Sequence, residues 1–159
     1  MEVLEIRKLP TPTGTRITLE GIIDESSDLS PLDDLRGSVE VNMRGVRRIN
    51  SFGARAWMDA VRQAQDKATL RFVECPPVVI DQLNMILGFL GQGRVESFLA
   101  PMVCESCSHE ETHKFDARAC RDNNGHLVPV DCPRCGSLLE LDDLEDQYTL
   151  FLREPTFVS

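Results

Sequence analysis

The chain is short of positive charge, aromatic residues and long apolar runs, and each shortage excludes something. It has 17 Lys+Arg against 26 Asp+Glu in 159 residues, a formal charge of −9, whereas non-specific nucleic-acid binding needs a basic surface that displaces counterions. No run approaches about 18 apolar residues, so a helical membrane span is not expected. The opening MEVLEIRKLPTPTG carries charges where a secretory leader needs an apolar stretch, which points to a cytoplasmic protein. Neither Gly-x-x-x-x-Gly-Lys-Ser/Thr nor Gly-x-Gly-x-x-Gly occurs, which argues against nucleotide binding, and without a Gly-x-Ser-x-Gly turn or clustered carboxylates no catalytic constellation emerges. Internal repeats and low-complexity segments are also missing. The sequence leaves homo-oligomerisation open.

What is present reads as strands alternating with helices over the first hundred residues. Residues 3–23 suggest two strands around a turn marked by Pro10, Pro12 and Gly14. Ser30 followed by Pro31 suggests the cap and first turn of a short helix reaching Leu35. Val39, Val41 and Met43 alternate as in a half-buried strand, with a turn expected at Gly45. From Ser51 to Ala64, the positions of Trp57, Ala60, Val61 and Ala64 form one helical face, with Ser51 as its expected cap. ATLRFVEC follows as a strand, Val79 to Leu90 as a second helix closed by GQG, and RVESFLAPMV as one last strand.

From Met102 the texture changes to cysteines, histidines and acids. CESC at 104–107 and CPRC at 132–135 are separated by a stretch long enough to fold as a hairpin, so Cys104, Cys107, Cys132 and Cys135 can converge on one ion. Four thiolates in tetrahedral array suit one structural zinc per chain, with no coordination position left for a substrate. A redox Cys-x-x-Cys works singly, which makes two matched pairs a better fit to zinc than to redox chemistry, and an iron–sulfur cluster fits less well again. Gly136 can supply the positive φ such a turn needs. Cys75 and Cys120 lack partners at that spacing and read as buried thiols. His109, His113 and His126 read as exposed hairpin residues rather than ligands. Leu141, Leu144, Tyr148 and Phe151 then suggest a short acidic helix docking back on the body.

The stretch from Gly21 through RRINSFGARAW to the end of the first long helix resembles the STAS domain of anti-sigma factor antagonists and sulfate transporters. Gly21 and Asp24 match an early Gly-x-hydrophobic-Asp segment, and Ile49 to Gly53 match the strand-to-helix turn. The resemblance spans roughly residues 5–100 and implies an α/β fold, a STAS-like mixed β-sheet backed by helices. The expected organisation is a STAS-like domain over 1–101, a zinc-ribbon-like hairpin carrying the four cysteines over 102–140 and an acidic C-terminal helix and tail over 141–159.

By the same resemblance the chain is expected to be a non-catalytic signalling adaptor or scaffold. Its docking residues would be Asp24, Arg47, Arg48, Asn50, Ser51, Phe52, Gly53 and Arg55. The partner would be a regulatory kinase, an anti-sigma factor or a sensory complex, or alternatively a transporter ATPase. In the family a phosphorylatable serine or threonine precedes the glycine of the turn; here that residue is Phe52, and Asn50 stands where the family has an acid. The usual phospho-switch is therefore not expected, and Ser51, with its oxygen engaged in capping, is a poor substitute. Phe52 either projects as an aromatic anchor or tucks in beside Trp57. The other reading, a nucleic-acid-binding zinc ribbon, is opposed by the six acids against four basic residues in 104–136.

Overall fold

The structure is a computed structural model that describes residues 3–153. Its frame is a five-stranded mixed sheet in sequential order. Strands β1 (Glu5–Thr11) and β2 (Gly14–Ile23) form an antiparallel hairpin, and β2, β3 (Gly37–Ile49), β4 (Ala68–Val73) and β5 (Arg94–Val95) run parallel. Helices α1 (Ser51–Ala64) and α2 (Pro77–Met85) make the crossovers from β3 to β4 and from β4 to β5, while the link from β2 to β3 has no α-helix.

One face of the sheet is apolar. Ile17, Leu19, Val39, Val41, Leu70 and Phe72 are buried, and α1 seals them with Ala54, Trp57 and Val61 while α2 contributes Val79, Ile80 and Leu83. Trp57 meets Phe72 edge-on at 6.4 Å and Phe89 at 6.3 Å. Alternate residues face water and pair across strands, with Arg16 on Glu40 at 2.9 Å and Arg71 on Glu96 at 3.1 Å. This period-two alternation was legible from the sequence because each strand has one wet face.

Four local expectations are corrected. β3 does not stop at Gly45 but continues to Ile49, because two register shifts against β2 absorb the irregularity within the ladder. The segment after Ser30 makes only a 3-10 turn, Ser30–Leu32, with Leu29 at its cap position. α2 ends at Met85 instead of reaching Leu90. Ile86 adopts an extended conformation, and three tight turns closed by Phe89, Gly91 and Gly93 N–H groups return the chain to β5. Finally, RVESFLAPMV is split: β5 belongs to the first sheet, and β6 (Ser97–Val103) begins a second.

Glu74 makes that transfer possible. It adopts a left-handed φ of 51°, and its N–H donates to the Ser97 hydroxyl at 2.8 Å. Cys75, just past β4, pairs with Phe98 in a parallel bridge, so the end of β4 lies beside β6. The second sheet has the order β7 (Glu110–Asp116), β6, β8 (Glu140–Leu141), all antiparallel. α3 (Ala117–Asp122) starts at an Asp116 cap, whose carboxylate accepts the Ala119 N–H at 2.9 Å.

The expected terminal helix is two short pieces, α4 (Glu145–Tyr148) and α5 (Leu150–Arg153). Leu141 lies in β8 and Leu144 is exposed, so only Tyr148 and Phe151 of the four expected apolar positions are buried. Of the segment expected over 141–159, residues 154–159 lie outside the described residues. Phe98 stacks on Phe115 at 5.6 Å and meets Phe151 edge-on at 5.1 Å, so this second sheet and the terminal helices share one continuous apolar cluster with the first sheet. No helix among the described residues is long and apolar enough to cross a membrane.

Candidate functional site

The four cysteines of the two Cys-x-x-Cys pairs converge. All four Sγ atoms lie within 4.8 Å of one another, with Cys104 to Cys135 at 3.4 Å and Cys107 to Cys132 at 3.7 Å. None is in a disulfide. A tetrahedral ion with metal–sulfur bonds of about 2.3 Å sets its sulfurs about 3.8 Å apart, so these positions fit a single metal ion.

The two knuckles repeat one backbone device. The first is the turn between β6 and β7, where Cys104 N–H donates to the His109 carbonyl and Ser108 N–H donates to the Cys104 carbonyl, both at 2.8 Å. In the second, Cys132 N–H donates to Ser137 at 2.6 Å and Gly136 N–H to Cys132 at 2.9 Å. The fifth residue of each knuckle is left-handed, Ser108 at φ 63° and Gly136 at φ 81°. Gly136 announces that turn in the sequence; Ser108 does not, because a serine there is held by tertiary context rather than by local preference.

Cys104 and Cys132 are buried, whereas Cys107 and Cys135 face solvent. The Ser137 hydroxyl and N–H, helped by Cys104, pull the Cys135 thiol down to about 6. The Cys107 thiol benefits from the His109 N–H, but burial and the three neighbouring sulfurs outweigh it and push it up to about 12. The sulfurs thus compete for negative charge, and a shared cation relieves that competition.

The histidines do not join the sulfur cluster. His109 Nε2 and His113 Nδ1 flank the Glu111 carboxylate at 2.9 and 3.1 Å, on one face of β7, and His126 Nδ1 pairs with Glu145 at 3.3 Å. Ring pairing leaves His109 and His113 only partly exposed rather than open to solvent as expected. Cys75 and Cys120 are buried away from the cluster, and desolvation raises both thiols above their ordinary value.

The strand-to-helix junction forms the second assembly. Asn50, not Ser51, is the cap of α1: it has extended backbone angles, and its Oδ1 accepts the Gly53 N–H at 2.8 Å. Ser51 already lies inside the first turn, which overturns the expectation that its oxygen is engaged in capping. Asn50 also donates its backbone N–H to Ile23 at 3.1 Å and its side-chain amide to Glu25 at 2.7 Å, tying the turn to the end of β2. Gly53 packs so closely there that a Cβ would stand 2.3 Å from the Ile23 carbonyl oxygen, so any larger residue would force α1 off the sheet.

Asp24 therefore lies beside the turn, as the sequence suggested. Its carboxylate accepts from the Ser26 hydroxyl at 2.7 Å and the Ser26 N–H at 2.9 Å, contacts that hold it below the usual carboxylate range. It shapes its own loop. Phe52 is 70% exposed and does not tuck in beside Trp57. Arg55, one turn along α1, is exposed, as are Arg47 and Arg48 near the end of β3, and Arg48 and Arg55 make no ion pair among the described residues. Arg44, further back on β3, is committed elsewhere and binds Glu74 at 2.7 Å.

Sequence reading missed Glu25, which braces the cap, and the exposed Met85 and Leu87 beside α1. Periodicity alone placed Leu87 inward, and only the early end of α2 turns it out. Comparison with protein families, with characterised proteins and with solved structures yields no match for this chain.

Proposed function

We propose that the chain is a non-catalytic adaptor of the STAS type, which docks on a protein partner through the 50–53 turn and α1 and holds one structural zinc among the four cysteines of its ribbon. The observation that carries this reading is Phe52, an aromatic ring 70% exposed at a firmly capped helix start, with exposed Arg55 one turn along the helix. Aromatic and arginine side chains are the types that concentrate binding energy at protein interfaces. An apolar ring held in water on a rigid element costs stability and is explained by a partner that covers it.

Other features support the same reading. The antiparallel first pair followed by parallel strands in sequential order suits the mixed sheet that the STAS resemblance implies. Phe52 cannot accept phosphate, so docking there is constitutive with respect to that residue. Partners by resemblance are a sensory or anti-sigma kinase, another regulatory complex, or a transporter ATPase. Zinc suits four thiolates, and the closed sulfur shell assigns it the job of holding the ribbon's shape.

The test is affinity capture from native lysate with the wild-type chain and with Phe52→Asp. A specific partner should be retained by the first and lost by the second, by about tenfold or more. A partner held equally by both, or held only at low salt together with nucleic acid, would refute the proposal.

A further inference from the structure

A solvent-open trough runs beside α1. Ser51, Arg55 and Met58 line one wall and Gln82, Met85 and Ile86 the other. Past Met58 and Arg62 it continues between Gln65 and the loop that holds Leu87. α1, which supplies lining from Ser51 to Arg62, has 14 residues and is about 21 Å long, enough to lie along about three to four turns of a second helix.

Its apolar content is greater than packing within the chain requires. Met85 is 71% and Leu87 68% exposed, while Met58 and Ile86 sit on the edge of the core and open into the trough. The early end of α2 is what presents Leu87 to water. Two flexible thioethers on facing walls make a lining that adapts to the shape of an incoming side chain.

Charge along the trough is uneven. At the Ser51 end, next to Phe52 in the chain, Arg55 lines the trough, exposed and without an ion pair among the described residues, and the positive end of α1 adds to it. Towards the other end Arg62 is neutralised by Asp59 at 2.8 Å, and Asp66 lies near Gln65. An occupant complementary to this pattern carries acid near Phe52. A second copy of the chain is disfavoured, since two molecules of charge −9 repel each other.

We infer that the trough seats an amphipathic helix of the protein partner, about three turns long. Its apolar side chains at i, i+3 or i+4 and i+7 lie against Met58, Met85 and Ile86, and its acidic residues lie towards Arg55 and the start of α1. This rests on the adaptor reading and adds to it the partner's secondary structure, polarity and orientation.

The test places a photo-crosslinking residue at Phe52 in one full-length chain and at Met85 in another, each expressed in the native cells, with sequencing of the crosslinked peptides. The expected result is that both positions capture the same protein, that the Met85 crosslinks fall in a segment with apolar residues at helical spacing, and that acids crowd the end captured by Phe52. In addition, Met85→Gln, at an exposed position where folding is checked by circular dichroism, should weaken binding of that purified protein by about tenfold. Capture at Phe52 but not at Met85, or at Met85 by a basic or extended segment, overturns the inference and leaves the adaptor reading standing. Capture of a second copy of this chain, or of lipid, at Met85 also overturns it. No protein captured at either position brings down both.

Discussion

Asn84, near the end of α2, donates its side-chain amide to the Tyr148 carbonyl at 3.0 Å, and the same amide accepts the Phe151 N–H at 2.9 Å. One side chain thus satisfies two backbone groups in the short terminal helices, which have too few residues to satisfy themselves. Tyr148 in turn donates its hydroxyl to the Leu99 carbonyl in β6 at 2.5 Å. This relay ties the first sheet's helix layer to the second sheet, beside the apolar cluster that the two share.

Replacing Asn84 by Ala leaves the Tyr148 carbonyl and the Phe151 N–H without these partners, and a cost of about 1–3 kcal/mol is expected. Denaturant unfolding should show it. The loss should be local at first: hydrogen exchange is expected to quicken in α4 and α5 while the amides of β3 keep their protection.

The sulfur cluster makes a prediction about where structure is lost. Stripping the metal with a chelator should loosen the two knuckles and the strands that lead into them, because four sulfurs this close repel once ionised. The single tryptophan and the single tyrosine report separately, since Trp57 lies in the first sheet's core and Tyr148 packs beneath the ribbon. Tyrosine fluorescence and exchange over 104–139 should change before tryptophan fluorescence does. On the proposed zinc assignment, Cys104→Ser should lower the zinc content well below one per chain and Cys120→Ser should leave it unchanged; equal zinc in both variants would refute the four sulfurs as ligands.

The helix start offers a clean comparison between neighbours. Asn50→Ala removes the cap to Gly53 and the brace to Glu25, and should cost about 1 kcal/mol. Ser51→Ala removes a hydroxyl that does not cap the helix and should stay within about 0.5 kcal/mol of wild type. Thermal melts of the two variants decide between them. A larger loss from Ser51 than from Asn50 would show that the cap is assigned to the wrong residue.

Much of this architecture was readable where one rule acts alone. Alternation in β2, β3 and β4 and the apolar face of α1 were clear because each element has one buried and one wet side. The four sulfurs were clear because ligand spacing is a local property. Leu87, Glu74 and the split at Glu96 were not: Leu87 depends on where α2 stops, and the other two on how the chain passes between two sheets. Glu74 takes a conformation its own side chain disfavours, and Glu96 donates to Phe72 of one sheet while accepting from Ala117 beside the other. The cap was missed more narrowly, since Asn and Ser are both good caps and only the position of the first helical turn separates them.

Glu74 also sets a pH dependence. The Arg44 guanidinium beside its carboxylate, with the Asn42 amide, holds it below its ordinary value of 4.5 despite partial burial. The folded state therefore binds this proton less readily than the unfolded chain does. The stability it contributes is fully present above about pH 4.5 and is lost as pH falls through the lower, folded value. Asp24, Asp34 and Glu111 are shifted in the same direction, so the wild-type acid limb contains several contributions. Comparing wild type with Glu74→Gln separates this one, as the amide cannot titrate. The variant should be less stable near neutral pH, by under about 1 kcal/mol for so exposed a pair, and the difference should shrink as the medium is acidified. Urea midpoints of the two chains at several pH values measure it, and a gap that widened on acidification would mean that the Arg44 contact is not what holds the carboxylate.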